Sequence, residues 1–208
     1  MVLQVHPDNP QGRLLSRAAE VMRQGGIIIY PTDTLYGIGC SVYDTRAIER
    51  IYAIKRQPRS KPFSFICSDL SHISEYAKVS NTSFRLMKRL IPGPFTFILP
   101  ASRLKQLPRS MISRRKEVGI RVPDNRICLG LVSQLGHPVL NTSVQDIKGE
   151  LVADPALIEE RYGHLVDLML DGGPSITEVS TVIDLSGETP VLVRQGAGDA
   201  GLPSGLAV

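Results

Sequence analysis

The stretch GGIIIYPTDTLYGIGC, residues 25–40, decides the fold. Ile27-Ile28-Ile29-Tyr30 is apolar at every position, the pattern of a short strand buried on both faces. Pro31 has no amide hydrogen and ends the ladder. Thr32, Asp33, Thr34 and Tyr36 then crowd two threonine hydroxyls, a carboxylate and a phenol onto what reads as a turn. Gly37 and Gly39 are expected to let the backbone turn tightly or let a ligand approach closely. A polar strand-to-helix loop of no further consequence would look much the same, because turns favour such residues.

The same punctuation continues on either side. Residues 11–24 place Leu14, Leu15, Ala18, Ala19 and Met22 on one helical face, which Gly25-Gly26 ends. Asp44 precedes a second helix over about 45–55, with Ala47, Ile48, Ile51 and Ile54 apolar. Strands are expected at 62–67, 95–100, 118–123, 138–144 and 165–171, and helices at 69–77, 80–90, 127–135 and 154–161. STVIDL (180–185) and VLVRQG (191–196) read as a closing hairpin-like pair. Alternating helices and strands with that pair at the end predict an α/β open sheet, mixed rather than purely parallel. With no repeat, low-complexity run or linker, the 208 residues are expected to form one domain.

Composition bounds the partners. Hydrophobic residues make up 42%, yet no run approaches the length needed to cross a bilayer. The opening MVLQVHPDNPQGR has no basic segment followed by an apolar one, so nothing marks it for export. Cys40, Cys67 and Cys128 are odd in number and widely spaced, which suits small core residues in a reducing cytoplasm better than a disulfide or zinc framework. The net charge of +4 hides an asymmetry: Lys78 to Arg121 holds eleven Lys or Arg against Glu117 alone, and residues 122–208 hold four against twelve acids. With Lys55, Arg56, Arg59 and Lys61 added, a basic face is expected, suited to nucleic acid or a nucleotide triphosphate. A merely solvated surface is the alternative.

Polar groups recur where apolar strands end: Thr32, Thr34, Tyr36; Lys55 through Lys61; Arg121; Thr142, Ser143, Gln145; Ser180, Thr181; Arg194. Strand ends are where open α/β sheets bind ligands. Hydroxyls beside Arg and Lys suit carboxylate and phosphate groups. YGIG fails the dinucleotide pattern and no Walker loop is present. His6, His72, His137 and His164 lack metal-ligand spacing, Ser143 lacks a nucleophile elbow, and Asp33 is more often a turn residue than a base. No metal site is expected. The inventory favours positioning and charge neutralisation over covalent catalysis.

YPTDTLYGIGC, the Lys55-to-Pro62 cluster, PGPFTFILPA (92–101), VGIRVP (118–123), NTSV (141–144), STVIDL and VLVRQGA (191–197) occur in the order of the YrdC-like domain. The chain resembles that family from about residue 10 to 198 and looks like its single-domain form, so the extra C-terminal domain of longer relatives is not expected. HPDNPQGRL and FRLMKRLIPGPFTFIL are similar to the YciO branch. The resemblance implies a twisted mixed sheet with a basic concave cleft. It implies an L-threonylcarbamoyladenylate synthase taking L-threonine, bicarbonate and ATP with Mg2+, and releasing pyrophosphate, for the t6A modification of tRNA. By the same resemblance Thr34, Arg121, Ser143 and Ser180 hold the threonine, with Arg121 on its carboxylate. Lys55, Arg56, Lys61, Gln145 and Arg194 serve the nucleotide, and Lys55, Arg56 and Ser143 carry the chemistry.

The resemblance also marks departures. Where the family has K-x-R followed by an asparagine, this chain has Lys55-Arg56-Gln57 and Lys61. S-x-N reads Ser143-Val144-Gln145, an expected histidine is Ile66, and a small hydroxyl residue four before Arg121 is Glu117. Losing one charged transition-state contact typically costs about 2–4 kcal/mol. Two readings therefore follow: an active synthase in which Arg56, Lys61 and Gln145 substitute, or a divergent paralogue whose basic cleft binds double-stranded RNA or a nucleotide. A different adenylate- or carbamoyl-transferring reaction in the same cleft is the third. With 5% aromatic residues and no Trp, shape-and-phosphate recognition of a duplex suits the second reading better than stacking on single strands.

Overall fold

The computed structural model describes residues 1–102, 107–145 and 150–202. Within them ten strands form one mixed sheet: β1 (Val2–Gln4), β2 (Ile28–Tyr30), β3 (Gly37–Gly39), β4 (Ser64–Ile66), β5 (Phe95–Pro100), β6 (Glu117–Arg121), β7 (Val139–Ser143), β8 (Leu168–Asp171), β9 (Thr181–Asp184) and β10 (Val191–Arg194). Their spatial order is β1-β8-β2-β3-β7-β4-β6-β5-β9-β10. The β1/β8, β2/β8, β4/β6 and β5/β9 pairs are parallel and the others antiparallel, so the expected mixed open sheet is what forms. Six helices flank it among the described residues: α1 (Gly12–Arg23), α2 (Thr45–Lys55), α3 (Leu70–Tyr76), α4 (Asn81–Leu90), α5 (Arg126–Leu135) and α6 (Pro155–Tyr162).

The helices start where the sequence supplies caps. Asp44, Asp69, Ser80, Asn125 and Asp154 each accept a first-turn backbone N–H. The chain leaves α1 through Gly25 at φ 82° and α5 through Gly136 at φ 80°, positions that favour glycine. Two strands lie outside the sequence expectation. β1 is a short edge strand beside β8. β3 is extended backbone where a tight turn is expected: Gly37 and Gly39 pair with Tyr30 and Ile28, and the ladder turns back on itself. What comes close to these glycines is the protein itself. A Cβ on Gly39 would stand 2.0 Å from the Leu140 carbonyl oxygen, and one on Gly37 would stand 2.4 Å from Asn141 Oδ1.

Period-two alternation splits the core into two layers. Ile27 and Ile29, Phe65, Leu140 and Met169 face one layer, with residues of α2, α3, α4 and α6. Ile28 and Tyr30, Ile66, Val139, Leu168 and Leu170 face the other, covered by α1 and α5. That second layer holds no buried residue of β5, β6, β9 or β10, whose core-facing residues Phe95, Phe97, Val118, Ile120, Ile183 and Leu192 all belong to the first. Among the described residues, half of one sheet face therefore carries no helix layer, and the sheet itself becomes the floor of a cleft.

Candidate functional site

FSF at 63–65 and FTF at 95–97 explain that floor. In each, the phenylalanines are buried in the core, so the central hydroxyl residue points the other way. Ser64 pairs with Gly119 on one side and Asn141 on the other, and Gly119 pairs with Ile98. Gly119 leaves the middle of this row low. With Thr96, Ser143, Ser180 and Val182, these residues line a cavity of about 400 Å³. Sequence reasoning passes over Ser64, Thr96 and Asn141, because single polar residues inside strands look incidental. Their alternation with phenylalanine in FSF and FTF is the signal that could have found the first two.

Charge collects at the two ends of the cavity. At the end of β6, Arg121 is 3% exposed, and its Nη2 donates to Asp33 Oδ1 (2.7 Å) and Thr34 Oγ1 (3.1 Å). Asp33 Oδ2 also accepts the Asp124 N–H (3.0 Å). Burial pushes the Asp33 carboxyl up, against the pull of Arg121. Nε of Arg121 is buried with no hydrogen-bond partner among the described residues, a cost that a ligand acceptor would relieve. Arg194, paired in register with Val182, donates to the Ser180 carbonyl (2.7 Å) and hydroxyl (3.2 Å), and Ser180 Oγ also bonds Thr96 Oγ1 (2.8 Å). Burial and then the charge of Arg121 lower the Arg194 pKa.

At the opposite end, Lys55 Nζ leaves the last turn of α2 and donates to the Ser143 carbonyl (2.8 Å). Burial and then Lys61 lower its pKa. Gln57 donates to the Lys61 carbonyl (2.8 Å), and Gln145, Ser113 and Glu117 complete this end. Glu117 and Arg121 stand four residue steps apart at the two ends of β6, about 13 Å of strand.

The expected site residues thus divide. Lys55, Lys61, Arg121, Ser143, Gln145, Ser180 and Arg194 line one cavity. Arg194 stands with Arg121 and Ser180 rather than with the lysines. Thr34 sits behind Arg121 as its hydrogen-bond acceptor and is not on the cavity wall. Arg56 is not brought in: it caps α2 at φ 48°, ψ 35°, exposed, while its neutral neighbour Gln57 lines the cavity. Thr32, Tyr36 and Thr181 are structural, bonded to Leu35, Gly173 and Gly198 carbonyls respectively. The three cysteines are free and buried. No helix of the described residues is long and apolar enough to cross a membrane, and these residues hold no group of three or more candidate metal ligands.

Comparison with known proteins identifies the family and the fold. Residues 20–196 match the family model Sua5_yciO_yrdC, described as telomere recombination. The YciO protein of Escherichia coli K12 is 45% identical over 197 residues, 94% of this chain and 95% of that one. The E. coli YciO crystal structure superposes with a TM-score of 0.90, at 44% identity, over 96% of this chain and 97% of that one. The Pyrococcus abyssi threonylcarbamoyl-AMP synthase is 33% identical over 190 residues, 89% of this chain and 54% of the relative. The structure of P. abyssi Sua5 complexed with L-threonine gives a TM-score of 0.87 at 28% identity, covering 94% of this chain and 57% of that one.

Proposed function

The chain belongs to the Sua5/YciO/YrdC family, and from that premise we propose that its cleft makes threonylcarbamoyl-AMP from L-threonine, bicarbonate and ATP. The observation that carries the reading is electrostatic. Two pairs of cations, Arg121 with Arg194 and Lys55 with Lys61, stand at opposite ends of one cavity. Burial and the neighbouring cation together hold the Arg194 and Lys55 pKa values down. Such an arrangement is relieved by a ligand anionic at both ends, and an amino acid joined to a nucleotide polyphosphate is one.

In this reading the threonine carboxylate satisfies Nε of Arg121. The threonine amine attacks bicarbonate carbon and water leaves. An oxygen of the resulting carbamate attacks the α-phosphorus, and the bond to pyrophosphate breaks. Lys55 and Lys61 neutralise charge at the departing pyrophosphate, while Ser143, Gln145 and Ser180 orient the reactants. Magnesium would accompany ATP. The lysine end offers Glu117 beside hydroxyl and amide oxygens, a donor set that suits a hard cation drawing most ligands from phosphate and water. The product would supply t6A formation on tRNA.

Pyrophosphate release from ATP tests the reading, and it should require both L-threonine and bicarbonate. Release independent of both, or none at any concentration of the three, overturns it. Arg121→Lys tests the amino-acid end, since lysine keeps the charge but loses Nε and the planar fork. Threonine affinity by calorimetry should fall about 10–100-fold; unchanged affinity removes Arg121 from the site.

A second reading rests on a different surface. Arg109, Arg114, Arg115 and Lys116 are exposed and lie outside the cavity lining, so they are available to duplex RNA phosphates. Arg103 and Lys105, expected to join them, lie outside the described residues.

A further inference from the structure

Glu117 is the one acid among the described residues lining the cleft. It begins β6, and the pairing of Ser64 with both Gly119 and Asn141 sets it level with Ser143, at the end where Lys55 and Lys61 stand. Its carboxylate is held: Ser113 Oγ donates to Oε2 (3.2 Å) and in turn accepts the N–H groups of Arg115 and Glu117. Its charge is not answered. Oε1 has no hydrogen-bond partner, and no cation lies within ion-pair distance, among the described residues.

A bare carboxylate at the phosphate end of an anion cleft opposes the ligand that the lysines attract. The conflict disappears if a divalent cation arrives with the phosphates. The dimensions agree: an amino acid held at Arg121 and joined through a carbamate leaves the outer phosphates on the order of 10 Å along the cleft, near Glu117 some 13 Å of strand away. Magnesium is commonly held by one or two carboxylates plus phosphate oxygens and water. Resting on the synthase reading above, we propose that Glu117 makes the lysine end selective for a metal-complexed triphosphate, with Oε1 facing the cation and Ser113 fixing the carboxylate's orientation. A purely structural Glu117, closing the loop from Ser113, would leave metal preference untouched.

The experiment is binding, not turnover. ATP affinity is measured by calorimetry with Mn2+ and in excess EDTA, and Mn2+ coordination is followed by electron paramagnetic resonance. The intact chain should bind Mn·ATP at least tenfold tighter than metal-free ATP. Glu117→Gln, nearly isosteric, should weaken Mn·ATP about tenfold while tightening metal-free ATP, so the preference collapses. Glu117→Asp should keep part of it. If Glu117→Gln tightens both forms equally, the carboxylate only repels, and the proposal is overturned; unchanged affinities overturn it too. If the intact chain binds ATP in neither form, the synthase reading itself falls, and the proposal with it.

Discussion

Arg56 carries a charge that the Lys55-Arg56-Gln57 element could use, but its backbone sits at φ 48°, ψ 35° and closes α2, with Gln57 N–H reaching back to the Tyr52 carbonyl. The left-handed residue turns the chain, and the guanidinium ends in solvent while the neutral amide of Gln57 faces the cleft. Pro58 is the local cause, because it disfavours helix at the residue before it. Gln57→Arg should therefore raise adenylate formation several-fold, and Arg56→Ala should leave it within about twofold, since an exposed contact contributes little. Pyrophosphate release from the two variants checks this. Loss of activity in Arg56→Ala alone would mean that ligand binding recruits Arg56. Charge and spacing were legible here from residues alone; the torsion that aims them was not.

β3 is the element that composition hides. GIG between Tyr36 and Cys40 has neither the β-branching nor the alternation of a strand, and it is one because Tyr30, Leu140 and Asn141 leave room for nothing but hydrogen. Gly39→Ala should cost about 2 kcal/mol or more, since the new methyl group would stand 2.0 Å from the Leu140 carbonyl oxygen and paired backbone cannot move aside cheaply. Urea unfolding would show it; a cost under about 0.5 kcal/mol would mean that β3 and β7 part easily. On α3, His72 accepts the Ser68 N–H at Nδ1 (3.2 Å), and burial depresses its pKa below 6.5. His137, half-buried between α5 and β7, is depressed likewise. The unfolded chain then binds more protons than the folded one once pH falls below about 6.5, so that contribution to stability is full above 6.5 and lost as pH falls through the folded pKa. Unfolding midpoints from pH 7.5 to 5 should decline, and His72→Gln should flatten the slope; an unchanged slope would assign it to other groups. The helices were legible because caps and glycine exits are local. β1 and β3 were not, since a three-residue strand is defined by its neighbour.

At the scale of the whole molecule, the basic run between β5 and β6 leaves Arg109, Arg114, Arg115 and Lys116 exposed. If duplex RNA docks there, the log–log dependence of affinity on salt should have a slope of roughly −3 to −4, about one unit per phosphate neutralised. Fluorescence anisotropy at several salt concentrations measures it, and binding that is absent at low salt or indifferent to salt removes the RNA reading. The sequence by itself determined the helix-and-strand alternation, the mixed sheet class, the charge asymmetry and the set of polar residues at strand ends. Each follows from periodicity, caps or residue counts, which need no knowledge of distant neighbours. Only the tertiary structure decided which of those residues share a cavity. β7 must meet β4 for Asn141 to reach Ser64, and α1 with α5 must cover one half of a sheet face and stop there. Arg121 acquires its buried partner Asp33 from 88 residues away, and no local pattern encodes a contact at that separation, because it is set by the order in which strands pair and by which faces the helices leave open.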